Sequence, residues 1–570
     1  MNIGLPFAAD TVPCWVMTEI SFEAAAGISD ITEAALDVIF THRPTGTTLT
    51  VPAFWDGGTA WKVRFAPTKT GIWDYTVAAS GRDLGLNGLT GTLKAKPYTG
   101  DLAIYRHGFV KTEPNKKYFV YDDGTPFFYL GDTHWNFIKE EFDSAGPNAG
   151  DIETDSHFKY IVDRRKAQGF TVYQTEALGA AYDLTDGMIT ENDLPAFRKF
   201  DRYFQYLADQ GFVHANAQLI FPSEVTPAFT EHAEKLTRYW VARYGAYPML
   251  WTLGQEVDPI RWSGIDKEGI TELYRRLCPY LQKIDPYHHP ISAHQVNTQI
   301  VGCLGGVAVD GVDGGYNSYF PQDNRRDGSH RNAPSRFRDV QGHTWWAAQW
   351  RPCVDQQFNF AMAEDYWLNG QGKPAVEYEG RYDHLYTKEF GARAEGWIAY
   401  LCGLYGYGYG GADMWAYQAH YAQDADGFDG VDVITIKEKQ IVWGDMIQKP
   451  IGTQMKYLAG FFSSLAWWKL VPDFDHGRAF RAEKPEEIAY AAAYDGNETY
   501  AVYLYNRSFA SGGRLVHMDT AADYAVRWFD PVTGAYTPVG VHEKADENGT
   551  YLLPEKPTDH DMVLLAVKNK

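Results

Sequence analysis

At 570 residues the chain exceeds one ordinary folding core, so two or three domains are expected. A hydrophobic content of 45% supplies ample material for burial and excludes long disorder. With 52 basic against 73 acidic residues the net charge is −21, which argues against nucleic acid or anionic lipid as partners, because phosphate binding relies on clustered Lys and Arg.

The opening MNIGLPFAADTVPCWVM has no Lys or Arg ahead of an apolar stretch and does not read as a signal peptide. No segment reaches the length of a membrane span. Five cysteines (Cys14, Cys278, Cys303, Cys353 and Cys402) are dispersed and lack a Cys-x-x-Cys pair. Neither a disulfide framework nor a zinc knuckle is supported, so a reduced, cytoplasmic protein without a cofactor is the expectation.

Residues 1–97 read as β. The runs TLTVPAFW (48–55), WKVRFAPT (61–68) and WDYTVAAS (73–80) are separated by turn residues such as Asp56-Gly57-Gly58. Short strands at this spacing predict a β-sandwich. From 98 to 470 apolar runs alternate with amphipathic stretches, the pattern of βα units around a parallel sheet. Candidate strands are 126–135, 170–178, 213–221, 248–257, 289–296, a segment near 314–320, 373–380 and 406–417. Candidate helices are 157–169, 197–211, 270–285 and 358–372, several of them ending in Gly, the residue preferred just past a helix C-terminus. Eight such strands predict an α/β fold, a (β/α)8 TIM barrel, with a doubly wound sheet as the weaker alternative. The segment 321–350, carrying HTWWAAQW (343–350), is expected to form a loop that narrows the site and favours exo action. Residues 471–570 return to β and predict a second sandwich.

Barrel chemistry gathers at the C-terminal ends of the strands. The acids there are Asp132, Glu176, Glu256, Glu377 and Glu379. Glycosidic cleavage needs an acid for the leaving oxygen and a second carboxylate across the anomeric carbon, about 5–5.5 Å away in retaining enzymes. Strands four and seven face one another, so Glu256 and Glu379 meet that requirement. Asp132, His134 and Trp135 are candidates to bind a terminal sugar, Asp132 by accepting hydroxyl hydrogen bonds and Trp135 by supplying a stacking face. Gln174 and Glu176 on strand two, His294 on strand five, and Tyr316 or Tyr319 near strand six are further candidates. Two other readings stay open: a metal-dependent hydrolase, which lacks H-x-H and H-E-x-x-H motifs here, and a non-catalytic carbohydrate-binding protein.

WTLGQEVD (251–258) followed by KPAVEYEGRYD (373–383) resembles the clan A glycoside hydrolases, the superfamily containing family 5. FVYDDGTPFFYLGDTHWNF (119–137) resembles the opening of the apiosidase-like family of that clan, and the flanking β regions resemble domains that accompany such barrels. The resemblance implies Glu256 as acid/base and Glu379, five residues after Pro374, as nucleophile. Glu377 is then a deeper partner on the same side. It also implies Trp415 on strand eight as a sugar platform. Gln255 stands where the clan has Asn, one methylene longer, which suits a furanose or branched pentose better than a cellulase substrate. The expected partner is an oligosaccharide or glycoside, with no nucleic acid or membrane, and homo-oligomerisation is left open.

Overall fold

A computed structural model describes residues 11–569 apart from 136, 148, 176–185, 218–224, 255–266, 296–343, 349–359, 381–388, 412–442, 475–476, 484–489 and 506–511. Its centre is a nearly closed parallel barrel of eight strands. The strands in chain order are Tyr129–Thr133, Val172–Thr175, Val213–Ala217, Met249–Thr252, the two-part fifth strand Ile291–Ser292 and His294–Gln295, then Trp346–Ala348, Ala375–Glu377 and Gly406–Tyr409. Each pairs in parallel with the next, and the eighth returns to the first through Tyr129↔Gly406. The fifth is interrupted at Ala293. Its first half pairs with strand four (Trp251↔Ile291) and its second with strand six (His294↔Ala347).

The sixth strand differs from expectation. It is Trp346–Ala348, whereas the 314–320 stretch lies outside the described residues. Part of the expected site-narrowing loop is therefore barrel wall. Trp345 and Trp346 are buried, and Trp346 Nε1 donates to the Gly370 carbonyl at 2.9 Å. The two tryptophans of the segment expected to be a site-narrowing loop are instead held by ordinary core packing.

The helices lie close to expectation, at His157–Ala167, Leu194–Asp209, Lys267–Ile284 and Phe360–Asn369, joined by Pro227–Tyr244 and Glu389–Leu401. In His157–Ala167, the Ser156 side chain caps the start by accepting from Lys159 N. Positions 157, 158, 161, 162 and 165 are buried, the spacing of one helical face. Gly169 and Gly211 follow two helices at φ +83° and +86°, a conformation that glycine adopts without a Cβ penalty.

Inside the barrel, large and small residues complement one another. Gly131 and Gly408 are paired on strands one and eight, and both face the Gln174 side chain. Gln174 Nε2 donates to the Tyr378 carbonyl at 2.5 Å, and its Oε1 accepts from the Tyr129 hydroxyl at 3.2 Å. A small sheet of Val110–Lys111, Phe119–Tyr121 and Pro126–Phe127 closes the N-terminal end, where Phe119 packs on Tyr129 and Trp345.

Seven strands between Thr11 and Lys96 form one sheet ahead of the barrel. Arg64 on this sheet and Arg243 on a barrel helix share Asp201, each with a contact of 2.7 Å. After the barrel, a six-stranded and a three-stranded sheet enclose a common apolar core that includes Phe480, Leu504, Leu515 and Leu564. Arg393 on helix Glu389–Leu401 reaches Asp561 of this region through contacts of 2.9 and 2.6 Å, all buried.

The crowding around Gly408 yields a test. A Cβ there would lie 2.3 Å from the Tyr378 carbonyl oxygen and 2.6 Å from Gln174 Oε1. Gly408→Ala should cost about 1–3 kcal/mol or more, read as a lowered Tm. An unchanged Tm would show that the interior has slack the contacts deny.

Candidate active site

Glu379 lies two residues beyond the end of strand seven, at the C-terminal mouth. Its neighbours fix its backbone. The Tyr378 carbonyl is taken by Gln174, and Gly380 N donates to the Gly408 carbonyl at 2.9 Å. The residue is 4% exposed. Trp135 Nε1 donates to Glu379 Oε1 at 3.3 Å, while His294 Nε2 lies 3.1 Å from Oε2, at ion-pair distance. The Trp135 and His294 rings are nearly parallel, 5.6 Å apart at 16°, and both abut Tyr378. Burial pushes the Tyr378 phenol up, and the Glu379 charge adds to this, so it stays protonated and adds no second anion.

His294 also ties this cluster to strand four. Its backbone N–H donates to the Gly254 carbonyl at 3.1 Å. The chain thus runs beside His294 immediately before Gln255 and Glu256, which themselves lie outside the described residues, as do Glu176, Tyr316, Tyr319 and Trp415.

Of the described candidates, Trp135, His294 and Glu379 come together, and four others do not join them. Side chains alternate across a strand. On strand one Gly131 faces the interior beside Gln174, which turns Asp132 to the helices. Asp132 accepts from Arg165 of helix His157–Ala167 and contacts His134 Nε2 at 2.7 Å. His134 Nδ1 meets Glu140 Oε1 at 2.6 Å, and Glu140 Oε2 accepts from the Tyr173 hydroxyl at 2.7 Å. All are buried, so Asp132 and His134 brace the wall and are not placed to bind a sugar. Gln174 is likewise fully buried, with both ends of its amide engaged inside the barrel. Glu377 was expected on the same side as Glu379. The strand ends at Glu377, so its alternation does not continue to Glu379. Glu377 lies near Tyr407, whose hydroxyl donates to the Ala392 carbonyl of a barrel helix at 3.0 Å; burial pushes that phenol up, and the charges of Glu395 and Glu377 add to it.

Sequence reasoning missed Glu140, Arg165 and Tyr378. Arg165 had a readable signal: a cation at a helical position in phase with buried Phe158 and Ile161. Among the described residues, no group of three or more His, Cys, Asp or Glu side chains is arranged to hold a metal ion. No described helix is long and apolar enough to cross a membrane. Cys14, Cys278 and Cys402 are buried. A cavity of about 220 Å³ opens elsewhere, between the N-terminal sheet and helix Pro227–Tyr244. Its charged rim is already paired, Arg238 with Asp37 and Glu33 with Arg82, so it offers no acid pair for hydrolysis.

Comparison with known proteins bears on this geometry. A family model described as "Apiosidase-like, catalytic domain" matches residues 113–469, and one for a domain of unknown function (DUF5060) matches 11–80. No curated protein matches the chain. A Bacteroides vulgatus structure provisionally assigned as a glycoside hydrolase superposes with a TM-score of 0.65 at 15% identity, covering 98% of this chain and 100% of that one. A family 5 glycoside hydrolase from Bacteroides vulgatus gives 0.56 at 15% identity, covering 81% and 94%. At such identities the likeness concerns the fold.

The braced wall has a pH signature. Burial would lower the His134 pKa, but Glu140 and Asp132 more than offset it and hold it at about 9 against an ordinary 6.5. The stabilisation from its charge is therefore full below pH 6.5 and is lost as pH rises through about 9. Tm should decline across that interval, and less steeply in Glu140→Gln. Equal slopes in the two proteins would refute the assignment.

Proposed function

The chain belongs to the apiosidase-like catalytic domain family and is a glycoside hydrolase, and on that premise we propose that it cleaves with retention, Glu379 acting as nucleophile and Glu256 as acid/base. The observation that carries this reading is the Glu379 carboxylate itself. It is almost wholly buried at the barrel mouth, with a nitrogen of Trp135 or His294 beside each oxygen. A carboxylate so held is oriented before substrate arrives, which is the condition for in-line attack. The Gly254–His294 bond supports the pairing with Glu256, since it brings the chain preceding that residue alongside the same cluster.

In the first step Glu256 gives its proton to the leaving oxygen while Glu379 bonds to the anomeric carbon. In the second, Glu256 takes a proton from water, whose oxygen displaces Glu379. The substrate class we propose is a short oligosaccharide or plant glycoside carrying a furanose or branched pentose, apiosides included. Support comes from the family and from Gln255, whose amide extends one methylene beyond Asn. Exo action loses one of its supports, because Trp345 and Trp346 are buried in the packing of the barrel wall. We read the flanking regions 1–97 and 471–570 as β-sandwich modules around a 98–470 catalytic domain.

Glu256→Gln should lower turnover by about 10²–10⁴-fold, with the fold intact by circular dichroism. Glu379→Ala should be inactive and rescued by azide or formate, giving a product of inverted anomeric configuration. Full turnover in either variant, or absence of rescue in Glu379→Ala, would overturn the assignment.

A further inference from the structure

We propose that Trp135 is a positioning residue for the nucleophile, its indole N–H holding Glu379 Oε1 so that Oε2 is the attacking atom. The proposal rests on the reading of Glu379 as nucleophile and departs from the expectation that Trp135 stacks on a sugar. A stacking platform must offer an open face. Trp135 is 4% exposed, with His294 nearly parallel to it and Tyr378 against it. Its N–H is directed to Glu379 Oε1 at 3.3 Å.

The two nitrogens beside the carboxylate differ in kind. Indole N–H donates only and does not titrate, so its bond to Oε1 persists at every working pH. The His294 nitrogen beside Oε2, at 3.1 Å, donates in only one of its tautomers. An oxygen fixed by a permanent donor is the poorer nucleophile and the better carbonyl oxygen of an ester. As Oε2 bonds to the anomeric carbon, the bond to the leaving oxygen breaks and that oxygen takes the Glu256 proton. Oε1 becomes the ester carbonyl oxygen, still bonded to Trp135. In hydrolysis the water oxygen bonds to the anomeric carbon, its proton goes to Glu256, and the Oε2 bond breaks with its electron pair returning to Glu379. The N–H thus supports the carboxylate leaving group as its charge reappears.

Trp135→Phe retains a ring and removes the donor. On a nitrophenyl glycoside that the wild type cleaves, kcat should fall about 10- to 100-fold, with KM changed less than about twofold. The acidic limb of the kcat/KM profile should move to higher pH, because a carboxylate that loses a donor is protonated more readily. A raised KM with kcat unchanged would restore the platform role and overturn the proposal, as would an unmoved acidic limb. The azide-rescued rate of Glu379→Ala, with and without Trp135→Phe, separates positioning from folding. With no carboxylate to hold, the second substitution should cost little, whereas a packing role would cost the same in both backgrounds. If Glu379→Ala is not rescued at all, the nucleophile assignment itself falls. If it is rescued and Trp135→Phe slows both backgrounds equally, only this proposal falls.

Discussion

The bond from the Gln174 amide to the Tyr378 carbonyl underlies the arrangement of the mouth. Regular pairing of strand seven stops at Glu377, so nothing in the sheet ladder alone would fix the residues that follow. Gln174 reaches across the interior to hold the Tyr378 carbonyl, and Gly380 is tied to Gly408 on the other side of Glu379. Glycine at 131 and 408 is the corollary, because any side chain there would occupy the space of the crossing amide. A buried amide of this sort is tolerated because its donor and acceptor are both engaged; half satisfied, it would weaken the core.

The wall of the barrel presents two chemistries on its two faces. The inward face near the mouth carries Glu379, Trp135, His294 and Tyr378. The outward face carries Asp132, His134, Glu140 and Arg165 in a buried network of alternating charge. Burial pushes the Asp132 carboxyl up, but Arg165 and His134 outweigh this and keep it below the ordinary aspartate value. Because His134 and Trp135 are adjacent in the chain, the network on one face anchors the backbone that presents the indole on the other.

This two-sidedness explains what the sequence revealed and what it withheld. Seven barrel strands and four helices were readable because apolar runs and helical spacing report burial, which is what drives those elements together. The sixth strand was not, because a three-residue strand that opens with Trp346 directly after Trp345 has no alternation to distinguish it from an aromatic-rich loop. Asp132 and His134 were misassigned because an acid at a strand end can face either the axis or the helices. Residue type does not decide between them, whereas phase relative to an interior residue does. Glu379 was singled out through the family resemblance, and its setting was not readable from the sequence. The partners of its two oxygens come from strands one and five, more than 80 residues away in sequence in each case.

Arg393 and Asp561 join the last barrel units to the C-terminal strands through a guanidinium and carboxylate removed from water. Such a pair is weak evidence of added stability, yet breaking it by removing one partner leaves an uncompensated charge in the interior. Tyr503 also donates to Asp561, and Gln454 accepts from Arg393, so two further side chains depend on the pair. The C-terminal region is therefore not a detachable accessory. A lineage that exchanged it for another module would leave the Arg393 guanidinium relying on Glu389, 3.4 Å away on its own helix, and that liability ties barrel and appendage together in inheritance.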